Sequence, residues 1–104
     1  MEEIDVKARD ANNQVAKLIV KAIDDDLRIA ILRLIIREGP LSFRAISRKL
    51  GTNYKRLEKA INNLKKAGLL TYIEARPSKD KCFKLYYIPD HILQPIKIAL
   101  SEED

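Results

Sequence analysis

The hydrophobic spacing of this chain changes period at Gly68. Upstream of that glycine, apolar residues recur in steps of three and four; from there to Ile88 they alternate. A chain of 104 residues supports one core, so the expected class is mainly α with a small β-hairpin (α+β), in a single domain. Apolar residues make up 46% of it and charged residues 34%, enough apolar surface to offset chain entropy and exclude a disordered or fibrous chain.

The helical part divides at its caps. Ile4, Ala8, Ala11, Val15, Leu18 and Ala22 form one seam, read as an N-terminal dimerisation helix over residues 1–23. Asp24-Asp25-Asp26 offers an N-cap and first-turn negative charge to a helix starting near Leu27. Its apolar residues cover most of the circumference, with Arg33 and Arg37 as the polar stripe, so it is buried on more than one side, and Gly39-Pro40 ends it. Ser42 caps a short helix with Phe43, Ile46 and Leu50 on one face, closed by Gly51. Asn53 caps the next, whose inner face is Leu57, Ile61 and Leu64 and whose end is Gly68.

Beyond the period change, Thr71 to Arg76 reads as a strand and Pro77 to Lys81 as a polar turn. Cys82 to Ile88 reads as a returning strand, with Phe83, Leu85 and Tyr87 on one face. Pro89-Asp90 breaks it. Ile92, Leu93, Ile96 and Leu100 then mark a terminal helix with Pro95 early in it, so residues 24–88 form a core and 89–104 a C-terminal helix and acidic tail.

Charge is unevenly placed. Residues 42–88 carry twelve basic and three acidic side chains, whereas residues 1–41 carry seven and eight and residues 89–104 one and four. A basic centre between neutral or acidic ends implies a localised anionic partner, with a lysine-rich solvated surface as the alternative. No apolar run exceeds four residues, far short of the roughly 20 that span a bilayer, so no membrane partner is expected. The start Met1-Glu2-Glu3 lacks the pattern of a secretory signal, and a cytoplasmic location is expected. Abundant Lys, Arg, Glu and Ile with scarce Gln, Met and Trp fit a thermophile.

Helix, short helix, tight turn, helix and hairpin is the order of a winged helix-turn-helix. The run Leu41-Ser42, Ile46, Leu50-Gly51, Asn53, Leu57, Ile61, Leu64, Gly68-Leu69-Leu70 resembles the core pattern of ArsR- and MarR-type transcription regulators. Asp26 to Pro40 resembles their first core helix, and Phe83-Lys84-Leu85 their returning wing strand. The resemblance implies a sequence-specific regulator that binds double-stranded DNA. Its recognition helix is about 53–67, in the major groove, and its wing is about 77–82, on adjacent backbone or minor groove.

At about 100° per residue, Lys55, Lys59, Asn62 and Lys66 lie opposite the Leu57-Ile61-Leu64 seam, with Arg56 and Asn63 on one flank and Glu58 nearer the other edge, leaving the outward stripe free of carboxylate. Lysine and arginine suit guanine or phosphate, and asparagine pairs bidentately with adenine. Asn53 and Tyr54 stand at the first turn. Arg44, Arg48 and Lys49 on the preceding helix suit backbone positioning, and Lys79 and Lys81 suit the wing tip. A homodimer is expected through the N-terminal seam and through Ile92, Ile96 and Leu100.

Metal sensing of the ArsR type places two cysteines in the short helix, where Ser42 and Arg44 stand here, and His91 with Asp90 is too few ligands for zinc. No metal and no cofactor are expected. Cys82, the single cysteine, reads as a small semi-buried residue. There is no nucleophile motif or phosphate-cradling glycine loop, so an enzyme is not expected. The residues name no small-molecule effector. Two other functions fit the same fold: a winged-helix module that binds protein in a transcription or replication assembly, and a non-specific architectural DNA binder.

Overall fold

A computed structural model describes the backbone of residues 2–103 and the side chains of residues 11–101. The order is α1 (Glu2–Ala22), α2 (Asp26–Glu38), β1 (Leu41–Ser42), α3 (Phe43–Leu50), α4 (Tyr54–Lys66), β2 (Thr71–Ser78), β3 (Lys81–Tyr87) and α5 (Asp90–Glu103). It is mostly helical with one small antiparallel sheet in the order β1-β3-β2.

Local chemistry sets the helix ends. The Asp25 carboxylate accepts the backbone N–H groups of Leu27 and Arg28 at 2.8 and 3.3 Å, so α2 begins one residue earlier than expected. Ser42 Oγ accepts from Ala45 N–H at the start of α3. Gly51 closes α3 at φ 61°, left-handed backbone that an L side chain rarely adopts. Ser42 also belongs to β1, where Leu41 and Ser42 pair with Tyr86 and Leu85. Two residues are too few to show a period, which is why this third strand was not anticipated.

The hairpin departs from expectation at its tip. β2 continues through Pro77 and Ser78, Lys81 already belongs to β3, and the turn shrinks to Lys79-Asp80. The register shifts between Ala75, opposite Phe83, and Ser78, opposite Lys81. Arg76 and Pro77 thus face Cys82 alone, a bulge, and a bulge tolerates a proline because the extra residue owes the ladder no N–H. The buried face of the β3 segment belongs to Tyr86 and Ile88, not to the Phe83, Leu85 and Tyr87 set: Phe83 is 43% exposed. Cys82 is exposed rather than semi-buried.

One hydrophobic cluster joins the elements. Ile31, Leu32, Leu34 and Ile35 of α2 pack with Ile46 of α3, with Leu57, Ala60, Ile61 and Leu64 of α4, and with Leu69 and Leu70. Ala16, Ile19 and Ile23 extend it to Ile96, Ala99 and Leu100 of α5. The face of α1 that packs inward is therefore Ala16-Ile19-Ile23, not the expected seam. Along that seam Ala11 is exposed and Leu18 is 67% exposed, while Val15 and Ala22 are half-buried; the side chains of Ile4 and Ala8 lie outside the described residues. Polar ties brace the packing. Arg28 Nη1 donates to the Ala22 carbonyl at 2.9 Å, and Arg33 Nη2 donates to the Leu100 carbonyl at 3.2 Å, linking α2 to α1 and to α5.

Candidate nucleic-acid interface

α4 is built to show one face. Asn53 Oδ1 accepts the Arg56 N–H at 2.9 Å and starts the helix. Leu57, Ala60, Ile61 and Leu64 are buried, which rotates Lys55, Lys59, Asn62 and Lys66 into solvent. Those four residues, with Tyr54 and Asn63, border a shallow surface groove of about 570 Å³ along the helix. Glu58 borders it too, so the outward surface is basic but not free of carboxylate. Helical projection puts Glu58 at an edge of the outward stripe, and the groove extends to that edge. Arg56, Lys59 and Asn63 also line a smaller depression on the side of α4 that meets Asp25 and Arg28 of α2.

The remaining sequence candidates lie around this helix. Arg44 and Arg48 of α3 are exposed. Lys49 is exposed as well, but its Nζ stands 2.9 Å from Glu38 Oε1, and a phosphate contact by Lys49 has to compete with that pair. The hydrogen bond from Lys49, with the nearby Arg37 charge, holds the Glu38 carboxyl below the usual glutamate value. Tyr54 is 65% exposed, and its ring leans on Phe43 with centroids 4.7 Å apart. Lys79 and Lys81 are exposed at the wing tip.

Several basic groups were not singled out in the sequence. Lys65 of α4 and Lys84 of β3 place their ammonium groups 4.9 and 4.5 Å from the centre of the Tyr72 ring. Arg76 is exposed at the wing bulge. Tyr72 and Tyr86 pack with centroids 5.9 Å apart, and burial raises the Tyr86 phenol above its ordinary value. Strand alternation places Lys84 and Tyr86 on one face, but the register that sets Tyr72 beside them is a tertiary fact.

Of the terminal-helix residues expected at a subunit interface, Ile96 and Leu100 are buried inside the protomer's own core against α1, and Ile92 is half-buried. Ile96 is 0% and Leu100 6% exposed, so both side chains are taken up by the protomer's own core and are corrected to core residues. Among the described residues no group of three His, Cys, Asp or Glu side chains is placed to hold a metal ion. His91 is exposed in the first turn of α5. No helix among the described residues is long and apolar enough to cross a membrane.

The fold matches solved winged-helix proteins. The transcriptional regulator Tm0710 from Thermotoga maritima superposes with a TM-score of 0.64 at 15% identity, over 98% of this chain and 73% of that one. The PcaV transcriptional regulator from Streptomyces coelicolor, solved with its natural ligand, gives 0.62 at 14% identity over 95% and 71%. Bacillus subtilis PadR, solved with operator DNA, gives 0.60 at 24% identity over 72% of this chain and 46% of that one. No curated protein matches the sequence. Residues 25–86, which run from the cap of α2 to the buried Tyr86 of β3, match the model of the HVO_A0114 family, and the chain belongs to that family.

Proposed function

We propose that this protein is a transcription regulator that binds double-stranded DNA sequence-specifically as a homodimer. In this reading α4 lies in the major groove and the wing, about 77–82, rests on adjacent backbone or minor groove. The observation that carries it is the α4 surface: Lys55, Lys59, Asn62 and Lys66 are exposed together, directly behind a seam whose burial fixes their direction. Lysines there neutralise phosphate, and Asn62 has the donor and acceptor pair that reads adenine. The likeness in fold to a PadR solved with operator DNA supports it.

The dimer is proposed through the outward side of α1. Ala11 and Leu18 are exposed there, with Val15 and Ala22 half-buried between the outer seam and the core. Selection from a randomised duplex pool tests the whole proposal. The expected outcome is enrichment of one site with two related halves, as a two-fold dimer requires. Binding without enrichment would leave a non-specific architectural binder. A protein-interaction module is the second reading, favoured by Ile73, 50% exposed, and Phe83 on the wing strands. Absence of duplex affinity at 50 mM salt, with a protein bound through that surface, would replace the regulator.

A further inference from the structure

The chain has six aromatic residues, two Phe and four Tyr. Four of them, Phe43, Tyr54, Phe83 and Tyr86, border a single trough of about 810 Å³ between the first turns of α3 and α4 and the strand β3. Arg44 and Lys84 border it as well, and no carboxylate does. Phe43 and Tyr54 meet at a tilt of 50°, and Tyr54 and Phe83 keep 65% and 43% of their surface in water. The trough is partly open to solvent, and Tyr54 also borders the groove on α4, so the two surfaces meet at that ring.

An exposed ring between two cations, with no carboxylate among the described lining residues, fits a ligand that is flat, apolar on its faces and negatively charged at its edge. Nucleotides have that chemistry, and bases stack on aromatic side chains whatever their sequence. A duplex hides its base faces inside the stack, so only an unpaired nucleotide can meet these rings. A small aromatic acid has similar chemistry, but pockets for such ligands enclose most of their surface, and this trough does not. Its openness and its continuity with the α4 groove favour a strand.

We propose that this trough binds single-stranded nucleic acid, stacking an unpaired base on the exposed Tyr54 ring, backed by Phe43, and holding phosphates at Arg44 and Lys84. The proposal does not rest on the duplex reading. Phe43 and Lys84 have no part in that one, and a protein that bound single strands alone would satisfy this one.

The test is fluorescence anisotropy of the full chain with labelled 12-nucleotide oligo(dT) and oligo(U) at 50 mM salt, beside a blunt duplex. At least one oligonucleotide is expected to bind. Tyr54→Ala should weaken that binding about fivefold or more, Tyr54→Phe should retain it, and Lys84→Gln should lower its salt dependence. Lys84→Gln should leave blunt-duplex affinity within about twofold. Tyr54 is largely exposed, so its variants report contact rather than folding, which circular dichroism checks. Failure of the wild type to bind either oligonucleotide overturns the proposal. So does equal binding by Tyr54→Ala, or benzoate shifting the NMR signals of the trough while neither oligonucleotide binds. A duplex that binds while single strands do not leaves the regulator standing and removes this site.

Discussion

Lys49 Nζ lies 2.9 Å from Glu38 Oε1, joining the last turn of α3 to the last residue of α2. The pair connects the helix that precedes α4 to the buried scaffold helix. Its carboxylate is held below the ordinary value of 4.5, chiefly by the Lys49 hydrogen bond. A carboxyl with a lowered folded value stabilises the fold above its unfolded value, and that contribution is lost as pH falls through the folded one. Glu38→Gln should therefore lower the melting temperature slightly at pH 7. The difference from wild type should shrink below pH 4.5, as followed by thermal denaturation across pH; both partners are largely solvated, so the effect is small.

Freeing Lys49 has a second consequence. If its ammonium reaches phosphate, Glu38→Gln should raise duplex affinity modestly and steepen the salt slope by about one. An unchanged slope in anisotropy titrations would keep Lys49 out of the interface.

Exchanging Lys55 and Lys59 for glutamate should weaken every duplex tested, because these side chains are exposed on the outward face of α4. Asn62→Ala should instead relax preference at one base position, by about 1 to 3 kcal/mol for a good bidentate contact. None of the three touches the buried seam, so melting temperatures should stay near wild type.

Duplex affinity should fall by roughly three to five decades between 50 and 200 mM salt if a dimer neutralises on the order of six to ten phosphates. A nearly flat dependence, measured by anisotropy, would contradict phosphate binding by the basic centre.

Leu18→Asp should shift the sedimenting species toward monomer while leaving helix content intact, since Leu18 is 67% exposed and faces away from the core. Removing residues 1–22 is a different experiment. It deletes Ala16 and Ile19 from the core, and it should unfold the protein rather than report on the dimer. Burial of this kind is worth several kcal/mol: Leu57→Ala, at a fully buried position, should cost about 2 to 5 kcal/mol in denaturant unfolding.

Caps and periods were legible in the sequence because they are local. Asp25, Ser42 and Asn53 each accept a backbone N–H from within the next three residues, and the seam of α4 repeats within one helix, so the starts of these helices and the direction of Lys55, Lys59, Asn62 and Lys66 followed without tertiary information. Three features did not follow. α1 carries two apolar stripes, and only packing against Ile96, Ala99 and Leu100 selects Ala16-Ile19-Ile23 over Ala11-Leu18. The strand Leu41–Ser42 exists only because Tyr86 and Leu85 lie beside it. The aromatic trough and the Lys65–Tyr72–Lys84 contact join residues from elements far apart in the chain. A one-residue change of register would move every side chain of β3 to the opposite face, so these neighbourhoods are set by strand pairing and helix docking, which no local spacing encodes.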